Sequence, residues 1–328
     1  TDRPTILAYS TLAFYADYYL ALNKRLKEDF KIFSIFGGTF PTAKPEMIAE
    51  EGVDAVCIGE GERAFLELSD GLDDNHDISG IENLWVKQDG KIYKNLLRPL
   101  IEDLDTLPFP DRSLFQHKSP FFYERISMIT SRGCTYSCPY CYNSTTDRLY
   151  GDAKNKYRRR SVGNVIKEVM EAQKSQPVKF ILFHDDIFIL MPNWLEEFTY
   201  KYGKEVRIPF CCYIRIDLVT PKTASLLKQA GCYSVSFGIE SGDETIRNTV
   251  FKRNMARQKI IDAALLLKEY GIRLRTTNII GAAENSISAD LETVKLNIQC
   301  GVDLARAGML DLYPNTEIHN TIRNAGKG

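Results

Sequence analysis

The sequence predicts an α/β chain: a partial (β/α)6 TIM-like barrel, preceded by part of a Rossmann-like, doubly wound domain. Two observations carry this. From residue 124 onward, six near-continuous apolar runs alternate with helical patterns, as a parallel sheet covered by helices requires. Before residue 71 a shorter alternation ends its strands in Gly37-Gly38 and in the "GEGE" turn at 59–62. The 328 residues suit one large unit plus a smaller one, and 44% apolar residues suffice for a sizeable core. A net charge of −1 excludes a global field drawing the chain to nucleic acid or a membrane surface. No apolar run reaches the roughly 18 residues of a spanning helix, and "TDRPTILAYS" lacks the layout of a secretory signal.

In the first domain (1–70), "TILAYS" reads as a strand. A helix follows with Tyr15, Tyr18, Tyr19, Leu22 and Leu26 at helical spacing. "KIFSIFGGTF" is a second strand, "KPEMIAEEG" a short helix, and "VDAVCIGEGE" a third strand. The pattern is that of the later part of a doubly wound domain, and a sheet opening on such a strand has an exposed edge, so the chain is expected to be a piece of a longer one. Residues 71–123 read as a connector. Within it "LWVKQDGKIYKN" is a hairpin turning at Asp89-Gly90, and "DLDTLPFPDRSLF" is an extended, Pro-rich strap. His76, in "DNHDISG", reads as a solvated loop residue.

The barrel (124–328) takes its strands from "RISMIT" (125–130), "VKFILF" (178–183), "IPFCCYI" (208–214), "YSVSFGI" (233–239), "RLRTTNIIG" (273–281) and "LARAGMLDLY" (304–313). Its helices include 161–173, with Val162, Val165, Ile166 and Val169 on one face. The segments 223–231, 258–271 and 288–301 each end on glycine, a C-cap signal. The basic run "KYRRRS" (156–161) reads as a solvated loop leading into a helix, with Arg158, Arg159 or Arg160 alternatively meeting an anionic substrate.

The chemistry lies in "SRGCTYSCPYCYN", where Cys134, Cys138 and Cys141 follow directly after the first barrel strand. Such barrels keep their active sites at the C-terminal ends of the strands. The other five cysteines, Cys57, Cys211, Cys212, Cys232 and Cys300, read as small buried hydrophobes, so the eight imply a reducing cytoplasm rather than four disulfides. Structural zinc takes four closed ligands, commonly as two separated pairs. Here one compact trio, Cys-x3-Cys-x2-Cys, has no second pair downstream, and His184 could join it only from another strand. A four-iron cluster held by three thiolates keeps one iron open for a substrate or cofactor. The trio is therefore read as the ligand set of a [4Fe-4S] cluster.

Cys134, Cys138 and Cys141, with Tyr140 before the last, resemble the signature of the radical S-adenosylmethionine (SAM) superfamily. The resemblance extends through "FHDDIFIL" (183–190), "YIRID" (213–217), "FGIESGDETI" (237–246), "TTNIIGAAEN" (276–285) and "LYPNTEIHN" (312–320). It implies a cluster whose open iron chelates SAM, reductive cleavage to a 5′-deoxyadenosyl radical, and an electron donor such as flavodoxin or ferredoxin. By resemblance, Tyr140, Asp185, Asp186, Arg215, Glu240, Ser241, Asn278 and Gly281 are the candidate SAM contacts. Alternatives stand beside several of them. Asp185 and Asp186 could cap the next helix, and Arg215 could pair with Asp217 instead of gripping a carboxylate. Gly242 could give the backbone close approach to a ligand. "GAAEN" departs from the Gly-x-Pro-Gly-Glu form common in relatives, which bears on the turn geometry there.

Ser10-x-Leu12 and Gly37-Gly38 resemble the later elements of the cobalamin-binding motif, Ser-x-Leu and Gly-Gly, and "GEGE" resembles the end of that domain in cobalamin-dependent radical SAM proteins. The Asp-x-His-x-x-Gly element is not visible. Ser10, Leu12, Gly37 and Gly38 are thus candidate cobalamin contacts. The implied activity is cobalamin-dependent methyl transfer to an unactivated carbon or phosphorus centre. A cobalamin-associated cyclisation or rearrangement, a methylthiotransferase, and a non-enzymatic corrinoid or zinc module are the competing readings.

Overall fold

The structure is a computed structural model that describes residues 5–116, 123–151, 157–282 and 287–324. Two compact units divide the chain: Thr1–Ile101 with Pro139–Ala153 and Asp311–Gly328, and Glu102–Cys138 with Lys154–Leu310.

The first unit carries a five-stranded sheet in the order β1-β2-β3-β4-β5. β1 (Ile6–Ser10), β2 (Phe33–Gly37) and β3 (Ala55–Cys57) run parallel, and β4 (Leu84–Gln88) and β5 (Lys91–Lys94) complete the sheet antiparallel. The turn between β4 and β5 holds Asp89 and Gly90 at φ of 51° and 74°, the left-handed pair of a tight hairpin. The hairpin therefore belongs to the first sheet, not to a separate connector: Ala55, Val56 and Cys57 pair with Val86, Trp85 and Leu84. The core lies between this sheet and its helices, with Ile35, Ala55, Leu84 and Val86 packing against Leu68 of α2 (Glu62–Asp73).

α1 (Ala16–Asp29) forms where expected, and its inward face keeps part of the expected stripe: Tyr19, Leu22 and Leu26 are half-buried and Tyr19 packs against the core. Ala16 and Asn23 are buried, whereas Tyr15 and Tyr18 are exposed. The Asn23 amide donates to the Gly52 carbonyl at 2.8 Å. The unit also includes α3 (Asn143–Tyr150) and α9 (Glu317–Asn324), and Tyr142 packs edge-on against Tyr313 at 5.6 Å.

The second unit is a six-stranded, all-parallel sheet in the order β13-β12-β11-β10-β9-β6, so β6 and β13 remain edges and the barrel is partial. Its strands are β6 (Arg125–Met128), β9 (Phe180–Phe183), β10 (Phe210–Tyr213), β11 (Cys232–Glu240), β12 (Arg273–Ile280) and β13 (Leu304–Met309). A small ladder pairs β7 (Ser131–Arg132) with β8 (Arg158–Arg159). The helices are α4 (Val162–Ser175), α5 (Pro192–Glu205), α6 (Pro221–Gln229), α7 (Arg257–Glu269) and α8 (Ile287–Gln299).

Alternation on the strands sorts the side chains. Ile126, Met128, Ile181, Phe183, Phe210, Cys212, Val235, Phe237 and Leu274 join the helices in one core, with Val165 and Val169 of α4 and Phe198 and Tyr202 of α5. The opposite set, including Ser127, His184, Tyr213, Thr277 and Arg306, looks inward to an open face. Gly231, Gly271 and Gly301 lie at φ of 88°, 70° and 60° just past their helices, as C-caps.

Candidate functional site

Asp185 is 1% exposed at the end of β9. Its Oδ1 accepts from Thr130 N at 3.1 Å, Thr130 Oγ1 at 2.7 Å and Ser131 Oγ at 2.5 Å. It thus ties down the segment leading from β6 into the cysteine loop. Arg159 supports the tie, donating to Thr130 Oγ1 at 3.1 Å while its guanidinium stacks 3.5 Å over the Trp194 ring. Burial draws the Arg159 pKa below the usual arginine range. Arg160 ion-pairs with Glu168, which is 1% exposed and also takes Arg112 from the strap. The arginine run is therefore a set of internal clamps, not a solvated loop, because α4 presents Glu168 and α5 presents Trp194 toward it.

Cys134 and Cys138 belong to the second unit and Cys141, three residues on, to the first. All three are half-buried and none forms a disulfide. Burial pushes the Cys134 thiol up to about 11, with Asp186 and Cys138 adding to the rise and Arg215 opposing it. Cys134 and Asp186 therefore share one neighbourhood at the end of β9. Among the described residues no group of three or more His, Cys, Asp or Glu side chains forms a ready cage for a metal ion. Three thiols within eight positions of one loop suit a cluster with one open iron rather than the four-ligand set of a closed zinc site.

Arg215, 6% exposed at the end of β10, pairs with Asp217 at 2.9 Å, donates to the Arg253 carbonyl and stacks 3.7 Å over the Tyr136 ring. The pairing alternative is the one seen, and through Tyr136 the arginine also props the cysteine loop. Glu240 sits at φ 62° beyond a bulge in β11, a strained position for a residue other than glycine. Its carboxylate folds back toward Gly238, where an added Cβ would lie 2.0 Å from Oε1, and pairs with Arg253 at 3.6 Å. Ser241 is buried, and its hydroxyl accepts from Asp243 N at 3.2 Å. Gly242 is required by packing rather than by a ligand: a Cβ there would meet the Glu292 carbonyl of α8 at 2.2 Å.

Asn278 turns toward α8. It accepts from Asn297 at 3.0 Å and donates to the Arg306 carbonyl at 2.8 Å, within a buried polar network. Gly281 lies at φ 72°, with Met309 next to its α-carbon. Residues 283–285 of "GAAEN" lie outside the described residues. Tyr140 is half-buried and Asp186 exposed.

Sequence reasoning missed Arg247, which is wholly buried and gathers the loop after β11. It donates to the carbonyls of Met255 at 2.9 Å, Ser241 at 2.9 Å and Gly242 at 3.2 Å. An arginine inside an otherwise ordinary helical run gives no sequence signal of this. A π-helical turn at Ile246–Val250 accompanies it, the kind of irregularity common at functional sites.

In the first unit, Ser10, Gly37 and Gly38 line one cavity of about 310 Å³ at the C-terminal ends of β1, β2 and β3, together with Cys57, Gly59 and Gly61. Leu12, 53% exposed, is not among its lining residues. Gly38 lies at φ 94°, and a Cβ there would meet Thr11 N at 2.9 Å and Ser10 Oγ at 3.2 Å. A groove walled by glycine and small residues at this end of a doubly wound sheet fits an extended ligand such as the nucleotide tail of cobalamin.

A sequence profile of the radical SAM superfamily matches residues 128–296. An uncharacterized methyltransferase from Pyrococcus horikoshii is 30% identical over 319 residues, covering 94% of this chain and 67% of the relative. The cytidylyl-2-hydroxyethylphosphonate methyltransferase of Streptomyces wedmorensis is 28% identical over 279 residues, covering 74% and 50%. Among solved structures, the radical SAM methyltransferase TsrM from Kitasatospora setae, with cobalamin and a [4Fe-4S] cluster bound, superposes with a TM-score of 0.78 at 16% identity, covering 99% of this chain and 65% of that one. The cobalamin-dependent radical SAM enzyme OxsB gives 0.68 at 19% identity, covering 99% and 47%. The chain thus spans about half to two thirds of the length of these relatives.

Proposed function

Because the chain belongs to the radical SAM superfamily, we propose that this enzyme is a cobalamin-dependent radical SAM methyltransferase. Its substrate presents an unactivated carbon or a phosphorus centre. The observation that carries the reading is the trio Cys134, Cys138 and Cys141 after β6, on a chain whose first unit offers a glycine-lined groove at its strand ends. When bound, the cluster and SAM supply a carbon-centred radical and cobalamin supplies the methyl group.

The chain's own residues bind and orient. The trio would hold the cluster by three thiolates. Asp185, through Thr130 and Ser131, and Arg215, through Tyr136, keep the loop in place. Asp186 shares the neighbourhood of Cys134 and suits a SAM amine. Glu240, held by Arg253, suits a ribose or amine donor. Ser10, Gly37 and Gly38 leave room for the cobalamin tail. An electron donor of the flavodoxin or ferredoxin kind completes the reading.

The test is anaerobic reconstitution of the protein, with iron, sulfide and cobalamin quantified, followed by reduction in the presence of SAM. The expected result is one four-iron cluster and one cobalamin per chain, 5′-deoxyadenosine formed by the wild type, and none formed by Cys138→Ala with its circular dichroism unchanged. Cleavage retained in Cys138→Ala would contradict the ligand assignment, and absence of bound cobalamin would contradict the methyl-transfer reading.

A further inference from the structure

The inner face of the second unit's sheet is read directly from strand register. Ser127, Leu182, Cys211, Ser234 and Arg273 form one layer across β6, β9, β10, β11 and β12. Tyr213, Ser236, Arg275 and Leu304 form the next, and Thr277 and Arg306 lie above them. Phe180 meets Tyr233 edge-on at 5.8 Å, and Arg273 lies 5.0 Å over the Tyr233 ring, which closes the floor.

The arginines of this unit differ in how they are neutralised. Arg160, Arg215, Arg253 and Arg257 each have a carboxylate partner, respectively Glu168, Asp217, Glu240 and Glu292. Among the described residues neither Arg275 nor Arg306 has one. Arg275 is half-buried, its Nε is shielded without an acceptor, and its one hydrogen-bond contact is the weak one to Cys211 Sγ at 3.9 Å. A half-buried guanidinium with no protein counter-ion leaves uncompensated positive charge on the inner face, which an anionic ligand would neutralise. Hydroxyl and imidazole groups surround it. Ser236 lies within 3.9 Å of the same sulfur, the His184 ring is 5.8 Å from Tyr213, and its Nε2 is 3.3 Å from Ser127 Oγ. Ser127 and His184 also line a largely apolar cavity of about 390 Å³ under the strap, with Leu104, Leu107 and Phe109, which gives a ligand's body room.

We propose that the inner face binds a substrate carrying an oxyanion (phosphate, phosphonate or carboxylate), held by Arg275 and Arg306 with His184, Tyr213 and Ser236 as hydrogen-bonding partners. This rests on the methyltransferase reading for the word substrate, but the anion site itself is tested without turnover. The guanidinium fork of Arg275 engages two oxygens, which a lysine cannot reproduce.

The experiment is isothermal titration of pyrophosphate into the anaerobically reconstituted protein at low ionic strength. Wild type is compared with Arg275→Gln, Arg275→Lys, Arg306→Gln and, as an exposed control on α7, Lys259→Gln. The expected result is a Kd weakened about tenfold or more by Arg275→Gln, partial recovery in Arg275→Lys, a smaller loss in Arg306→Gln, and no change in Lys259→Gln. Substrate-free formation of 5′-deoxyadenosine stays at the wild-type level in Lys259→Gln. Pyrophosphate that fails to bind the wild type, or binds Arg275→Gln as tightly, would overturn the proposal. If instead the wild type binds pyrophosphate but never cleaves SAM, the anion site stands and the enzymatic reading fails.

Discussion

His184 stands between two neighbours of opposite effect. Burial lowers its pKa below the usual histidine range, Asp185 raises it, and Arg275 across the inner face lowers it further. The net shift favours the neutral ring in the native state. As pH falls below the ordinary value of about 6.5, the unfolded chain takes up the proton first, so the stability from this site is present above that pH and lost as the pH falls. Titration of the His184 Cε1 proton by NMR should give a midpoint below that of a free histidine, and Arg275→Gln should move it upward. An unmoved midpoint would mean that the two side chains do not face the same space. Nothing in the sequence announces this pairing, because residues 184 and 275 meet only through the register of β9 to β12. The cysteine trio was legible because its ligand spacing is local. Asp185 was singled out for SAM, yet its carboxylate faces Thr130 and Ser131, a placement that depends on the tertiary course of the loop.

At the scale of elements, the six barrel strands follow the six apolar runs, since a strand buried on its helix-facing side leaves a dense apolar signature. The helix ends follow the glycines for an equally local reason. The face of α1 follows part of its aromatic stripe: Tyr19 packs against the core, while Tyr15 and Tyr18 stay in solvent, which tyrosines tolerate. The arginines at 158–160 looked solvated because the carboxylate and the indole that receive them lie on α4 and α5. Gly242 marks where α8 crosses the end of β11, with the Glu292 carbonyl 2.2 Å from the position a Cβ would take. Backbone cannot yield as a side-chain tip can, so Gly242→Ala should destabilise the fold by about 2–3 kcal/mol or more. Urea denaturation of the protein checks this, and an unchanged midpoint would contradict the packing described.

At the scale of the whole molecule, two units share the chain unevenly. The first takes in Thr1–Ile101 and recruits two later segments, Pro139–Ala153 and Asp311–Gly328. A boundary near residue 70 was the natural reading of a sequence in which a hairpin follows a doubly wound pattern. Antiparallel pairing of β4 with β3 carries the first sheet past it, and strand pairing between distant segments leaves no compositional mark. Among the described residues no helix is long and apolar enough to cross a membrane. The profile match to the radical SAM superfamily over 128–296 covers the ends of β9, β10, β11 and β12, which follow the cysteines.

The central claim is that Cys134, Cys138 and Cys141 leave one iron of the cluster without a protein ligand, for SAM to occupy. Electron–nuclear double resonance on the reduced, reconstituted protein with SAM carrying a ¹⁵N amine tests it directly. A SAM amine bound at the open iron gives a resolved ¹⁵N hyperfine coupling to the cluster. A cluster whose spectrum shows no such coupling, and is unaltered when saturating SAM is added, would contradict the claim.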